Sequence, residues 1–153
     1  MILALYRLCI IDLMKANTFV RYEVKVIINI IMIRDFLIIS CIGKDDKLGL
    51  RINKEFFIHN FDKKEINKEQ LVLELYNFLN NHKVVLDEKF SIIVNQGPGS
   101  FSGTRISLAV AKGLVIAKKT RLYGYKSVDL NEFNQENIEI LLKKKLIEKK
   151  LIK

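Results

Sequence analysis

Tryptophan is absent from this 153-residue chain, proline occurs once, cysteine and histidine twice each, and glycine only seven times. Each scarcity closes off a class of protein. The two cysteines, Cys9 and Cys41, show no framework spacing, which excludes a disulfide scaffold and points to a reducing, cytoplasmic setting. His59 and His82 lie far apart with no ligand spacing, so no zinc or iron site is expected. Uninterrupted apolar runs are missing as well. The stretch from Val26 to Ile42 is broken by Asn29, Arg34 and Asp35 and falls short of a membrane span. Arg7 and Asp12 interrupt the apolar start, and no small-residue cleavage site follows, so an export signal is not indicated.

Acidic residues are in deficit, 17 against 26 Lys and Arg, leaving a formal charge of +9. The excess is uneven. Residues 1–31 carry four cations and two anions, residues 32–94 ten of each, and residues 95–153 twelve against five. Clustered Lys attracts phosphate. Here Lys143-Lys144-Lys145 and Lys149-Lys150 alternate with Leu141, Leu142, Leu146, Ile147 and Leu151, the pattern of a solvated amphipathic helix. The wealth of Ile, Lys and Asn also fits AT-rich coding. Contact with RNA is therefore expected to be indirect.

What the chain does have is concentrated in Gly97-Pro98-Gly99-Ser100-Phe101-Ser102-Gly103-Thr104-Arg105, which holds three of the glycines and the only proline. Phe90-Ser91-Ile92-Ile93-Val94 before it reads as a strand, and Thr104 to Lys119 after it as a helix. Glycine serves where φ is positive or backbone approaches another group closely, and Pro98 fixes φ between two glycines. Ser102 or Thr104 is the expected cap of the helix, whose free N–H groups then face an anion or a partner's backbone. A Walker A loop is excluded because no Gly-Lys-Ser/Thr follows at the required spacing. The hydrolase elbow fails because neither Ser100 nor Ser102 is flanked by glycines at both positions. Gly97-x-Gly99-x-x-x-Gly103, with Asp129 downstream, is close to a dinucleotide fingerprint but has one residue too many before the third glycine. A nucleotide- or dinucleotide-binding enzyme using this loop remains an alternative reading.

Continuing through Ile106-Ser107-Leu108-Ala109-Val110-Ala111-Lys112-Gly113-Leu114, the loop closely resembles the GPGSFTGLRIGLATAKGLA signature of the bacterial TsaB (YeaZ) family, a Gcp-like family related to TsaD. The resemblance is specific over roughly residues 90–130 and extends weakly back to Met32. It implies an RNase H-like lobe of the kind found in actin and sugar kinases, with a mixed sheet flanked by helices. It further implies a non-catalytic scaffold or dimerisation subunit supporting the transferase TsaD in making threonylcarbamoyladenosine next to the tRNA anticodon. The partners implied are a TsaD-like subunit and a second copy of the chain, with tRNA reached through the complex and no cofactor of its own.

Two departures from related proteins narrow the chemistry. Where the transferase has a His-x-x-x-His metal pair, this chain has Ser127-Val128-Asp129-Leu130-Asn131. Where ATP-binding relatives carry an Asp in the first strand turn, it has Ser40-Cys41-Ile42-Gly43, removing the natural oxygen ligand of a hard cation. Asp45 and Asp46 read as part of a polar turn. No catalytic residue is expected. The expected partner-binding residues are Gly97, Pro98, Gly99, Ser100, Phe101, Gly103, Arg105, Ala109, Gly113 and Ala117. Of these, Ala109, Gly113 and Ala117 recur every four residues and leave a flat strip open to close backbone approach.

The expected layout is strands 36–42, 47–52 and 55–61, helix 68–82, strand 90–94, helix 103–119 and strand 121–125. Three strands joined by short turns form a meander, and the later strand-helix-strand unit adds a parallel pair. Asn67 with Gln70 suggests a capping box, and Leu71, Leu75, Phe78 and Leu79 a buried stripe. The helix at 103–119 is apolar nearly all round and is expected to be buried on more than one side. Residues 1–31 read as an N-terminal extension, residues 32–130 as the lobe, and residues 131–153 as a basic amphipathic helix in place of the usual second lobe. That substitution would leave apolar surface exposed and admits an inactive, truncated remnant as a further alternative.

Overall fold

The computed structural model describes residues 33–43, 45–61 and 68–143. The chain divides into compact units Met1–Met32 and Ile33–Lys153. The first unit, Asn67 with its expected cap, and the lysine-rich end from Lys144 onward lie outside the described residues.

Five strands form one sheet: β1 (Phe36–Ser40), β2 (Lys47–Ile52), β3 (Glu55–Asn60), β4 (Ser91–Asn95) and β5 (Arg121–Tyr125), in the order β3-β2-β1-β4-β5. β1 sits at the centre, antiparallel to β2 and parallel to β4, with Leu37 opposite Leu50 on one side and Ile92 on the other. A strand paired on both sides and covered on both faces reads as a continuous apolar run. β1 does so, and all five of its residues are buried. Asn53 and Lys54 join β2 to β3 with φ of 50° and 72°, the two positive values that a two-residue hairpin turn requires. The Asp35 carboxylate holds that turn by accepting from Asn53 N at 3.0 Å.

Alternation then sorts the side chains onto two faces. Leu37, Ile39, Leu48, Leu50, Ile92, Val94 and Leu122 point to one, where helices α1 (Lys68–Asn81) and α2 (Phe101–Lys118) pack. The expected stripe Leu71, Leu75, Phe78 and Leu79 is the buried side of α1, as spacings of four, seven and eight residues demand. Phe36, Ile38, Ile93, Tyr123 and Tyr125 point to the other face, where α3 (Gln135–Lys143) covers them with Ile138, Leu141 and Leu142. Asn134 starts this helix by accepting from Asn137 N at 2.8 Å, an N-cap bond.

Three expectations need correcting. Leu141 and Leu142 are not on a solvated helix, because α3 closes the sheet's second face with them. The loop helix is not buried on several sides: only Ser107 and Ala111 are fully buried, while Phe101, Ala109, Gly113, Ile116 and Ala117 are exposed. Strand β1 stops at Ser40 rather than residue 42, since Gly43 turns the chain with φ of 100° and the Ile42 carbonyl is claimed by another segment. The remaining boundaries agree to within two residues.

Candidate functional site

The carboxyl ends of the parallel strands β1, β4 and β5 meet at one edge of the sheet, and the chain leaves β4 there through the glycine loop into α2. In open α/β sheets this is the edge where ligands bind. The loop's geometry is set by the protein itself. Gly97 has φ of 88° and donates its N–H to Asn95 Oδ1 at 2.9 Å, and the bond to Pro98 is cis. Ser100 N donates to the Ile42 carbonyl at 2.7 Å. Ser100, not Ser102 or Thr104, is the N-cap of α2: its Oγ accepts from Gly103 N at 3.2 Å and its carbonyl accepts from Thr104 N at 3.0 Å. The helix therefore starts at Phe101, earlier than the sequence suggests.

The glycines fit around the turn that follows β1. A methyl group at Gly99 would come within 2.6 Å of the Ile42 side chain and 2.9 Å of its carbonyl, and one at Gly103 would overlap the carbonyl oxygen of Cys41. A phosphate cradle offers unpaired N–H groups of the loop and first helical turn to a ligand. Here the N–H groups of Gly97, Ser100, Gly103 and Thr104 are bonded within the chain, while those of Gly99, Phe101 and Ser102 have no acceptor among the described residues. The loop is a packed joint between the end of β1 and the start of α2.

Beneath it lies a neutral polar cluster. Asn95 donates from Nδ2 to Ser40 Oγ at 3.2 Å, and its Oδ1 accepts from both Gly97 N and Ser127 Oγ, each at 2.9 Å. Ser127 N donates to the Gly97 carbonyl at 2.8 Å, so the end of β5 is tied to the loop as well. Ser40 and Asn95 are buried, and the Tyr125 hydroxyl sits beside both without an aligned hydrogen bond. Burial pushes that phenol up to about 12. The Ser40 hydroxyl is thus taken up by an amide. The nearby Asp46 carboxylate instead closes the polar turn, accepting from Gly43 N at 2.8 Å. Such a set of neutral partners offers a magnesium ion no carboxylate. Cys41 is buried against the same joint, and burial pushes its thiol up to about 12 despite a hydrogen bond with Ser107.

The ten expected site residues fall into two groups. Gly97, Pro98, Gly99, Ser100 and Gly103 form the joint, with Gly97 buried and Pro98 and Gly99 at the surface. Phe101, Arg105, Ala109, Gly113 and Ala117 lie on the exposed side of α2, and a side-chain carbon added at Gly113 would meet nothing within 4 Å. Phe101 is 74% exposed, Ile116 is 83% exposed, and the Arg105 guanidinium stands 4.7 Å over the Phe101 ring. Sequence reading overlooked Asn95 and Tyr125. Asn95 had one signal, a polar residue closing the run Ile92-Ile93-Val94, whereas the role of Tyr125 depends on which strand it neighbours.

Among the described residues, no three His, Cys, Asp or Glu side chains gather in a way that would hold a metal ion, and no helix is long and apolar enough to cross a membrane. No family model matches the chain, and no curated protein matches it. Solved structures do. YeaZ from Pseudomonas aeruginosa matches with a TM-score of 0.58 at 19% identity, over 64% of this chain and 46% of its own. A second solved chain, described as an uncharacterized protein with similarity to peptidase YeaZ from Pseudomonas aeruginosa, matches with a TM-score of 0.57 at 19% identity, over 64% and 45% respectively. This chain therefore spans less than half the length of either. The likeness is one of fold: a mixed five-stranded sheet with flanking helices, the actin-like, RNase H-like lobe of the YeaZ structures.

Proposed function

We propose that this chain is a non-catalytic accessory subunit of the TsaB kind, supporting a TsaD-like transferase that makes threonylcarbamoyladenosine next to the tRNA anticodon. One observation carries the reading: the glycine loop is filled by Cys41, Ile42 and Gly43, while the outer face of the helix it launches is bare. A loop packed so closely against its own chain supports a structural role for the glycines. Its rigidity fixes the direction of α2 and presents Phe101, Arg105, Ala109, Gly113 and Ala117 on one side. The signature from Gly97 to Leu114 and the YeaZ-like fold support the same reading. In it, tRNA is reached through the complex and the protein works in the cytoplasm.

Co-purification with the TsaD-like subunit of the same organism, with assay of the modified base, tests the proposal. Association and restored modification are expected; a transferase that works equally well without this chain would sink it. Gly113→Leu sharpens the test, because open space at that position leaves the fold intact while the added bulk blocks close approach. Saturable binding of ATP or NAD to the isolated chain, lost when Gly99 is made bulky, would instead favour the nucleotide-binding alternative.

A further inference from the structure

Strand β3 is an outer edge of the sheet, and it carries none of the devices that usually protect one. Its sequence Glu55-Phe56-Phe57-Ile58-His59-Asn60 holds no lysine, proline or glycine, and its register against β2 runs without a bulge. Natural edges are blunted by just such features. The Asn53-Lys54 turn makes Ile52 and Glu55 a hydrogen-bonded pair, and alternation along the ladder then points the backbone groups of Phe57, His59 and Phe61 toward β2 as well. The bond from Phe61 N to the Asp46 carbonyl at 3.1 Å shows that direction. The N–H and C=O groups of Phe56, Ile58 and Asn60 therefore point away from β2, and they have no partner among the described residues.

We infer that β3 pairs antiparallel with β3 of a second copy of this chain, joining their two sheets into one continuous sheet. A two-fold axis perpendicular to the sheet at Phe57 sets the register. Phe56 then exchanges its outward backbone bonds with Ile58 of the second copy, an aromatic ring opposite a β-branched side chain. Phe57 meets Phe57 of the second copy in a non-hydrogen-bonded pair, where side chains approach most closely. Glu55, exposed and without an ion-pair partner among the described residues, comes opposite His59 of the second copy. His59 is already held by Glu74 at 3.2 Å and by the rings of Phe61 and Phe78, so pairing orders little that is free. Sliding the copies by two residues sets Phe57 opposite His59 and Glu55 opposite Phe61, which loses the charge match. A strand of another protein would find the same open backbone, whereas β3 itself supplies all three side-chain matches at once. Helix α2 packs over β1, β4 and β5, so the pairing leaves its outer face free and does not depend on the accessory-subunit reading.

Sedimentation of the full chain over concentrations up to about 100 µM tests the pairing. Wild type is expected to dimerise. Ile58→Pro removes an outward N–H while leaving the ladder to β2 intact, and it should abolish the dimer. Glu55→Lys should weaken the dimer about tenfold, because it sets a lysine opposite His59 on both sides of the axis. Cysteine variants in a Cys9→Ser background read the register: under a mild oxidant Phe57→Cys should give a disulfide-linked dimer, since residue 57 meets itself, and Ile58→Cys should not. Circular dichroism of each variant should match wild type, and Glu55→Lys, at an exposed position, carries the test if Ile58→Pro loses the fold. A wild-type chain that stays monomeric over the whole range would overturn the inference. So would a dimer that Glu55→Lys leaves unchanged and Phe57→Cys fails to cross-link, because it would be built on another surface.

Discussion

Gly103 rests against the carbonyl oxygen of Cys41, so close that a methyl group on Gly103 would overlap it. The contact joins the first turn of α2 to the end of β1 and explains why glycine stands inside a helix, where it is ordinarily unfavourable. Gly103→Ala should cost about 2 kcal/mol by forcing the joint apart. Gly113→Ala, on the same helix with open space around it, should gain about 0.5–1 kcal/mol. Chemical denaturation of the two variants checks the opposite signs.

Asn95 gathers three segments with one side chain, bonding Ser40, Gly97 and Ser127. Asn95→Leu leaves buried Ser40 and the Gly97 N–H without this partner and should cost about 3 kcal/mol, whereas Ser127→Ala removes a half-buried hydroxyl that reaches Asn95 Oδ1 and the Pro98 carbonyl and should cost about 1 kcal/mol. Thermal melts of both variants give the comparison.

Alkali should unfold the protein by a defined route. Cys41 and Tyr125 have ordinary values of 9.0 and 10.0 and are each pushed up to about 12 by burial, and Tyr123 is raised by the same cause. Below pH 9 both folded and unfolded chains keep these protons, so stability is undiminished. As pH rises through 9 and 10 toward 12, the unfolded chain releases protons that the folded one retains, and stability falls. Denaturant midpoints at pH 8 and pH 11 should show the loss, and Cys41→Ala should reduce it. The same burial makes Cys41 unreactive to alkylation until the chain unfolds.

Ile138 is fully buried beneath the sheet among Phe36, Ile38 and Tyr125. Ile138→Ala should cost about 3 kcal/mol, as expected for a cavity in a core. A melt unchanged from wild type would contradict the placement of α3 on the second face.

The stripe Leu71, Leu75, Phe78 and Leu79 was legible from spacing, and so were the strands, because periodicity is a local property that burial reinforces. The placement of Leu141 and Leu142 was not legible. Their lysine-rich neighbours read as solvated, and nothing local says that Phe36, Ile38, Tyr123 and Tyr125 need a cover. Ser100 was passed over as a cap because choosing among Ser100, Ser102 and Thr104 requires knowing that Ile42 claims the Ser100 N–H.

By itself the sequence determined the order of elements and the position of the glycine loop, since each depends on neighbouring residues or on residue type alone. Only the tertiary structure decided that Gly99 and Gly103 make room for Ile42 and Cys41. It also decided that α3 closes the second face and that one side of α2 is left bare. Those outcomes depend on contacts between segments more than fifty residues apart, which steric fit and burial settle and local pattern does not record.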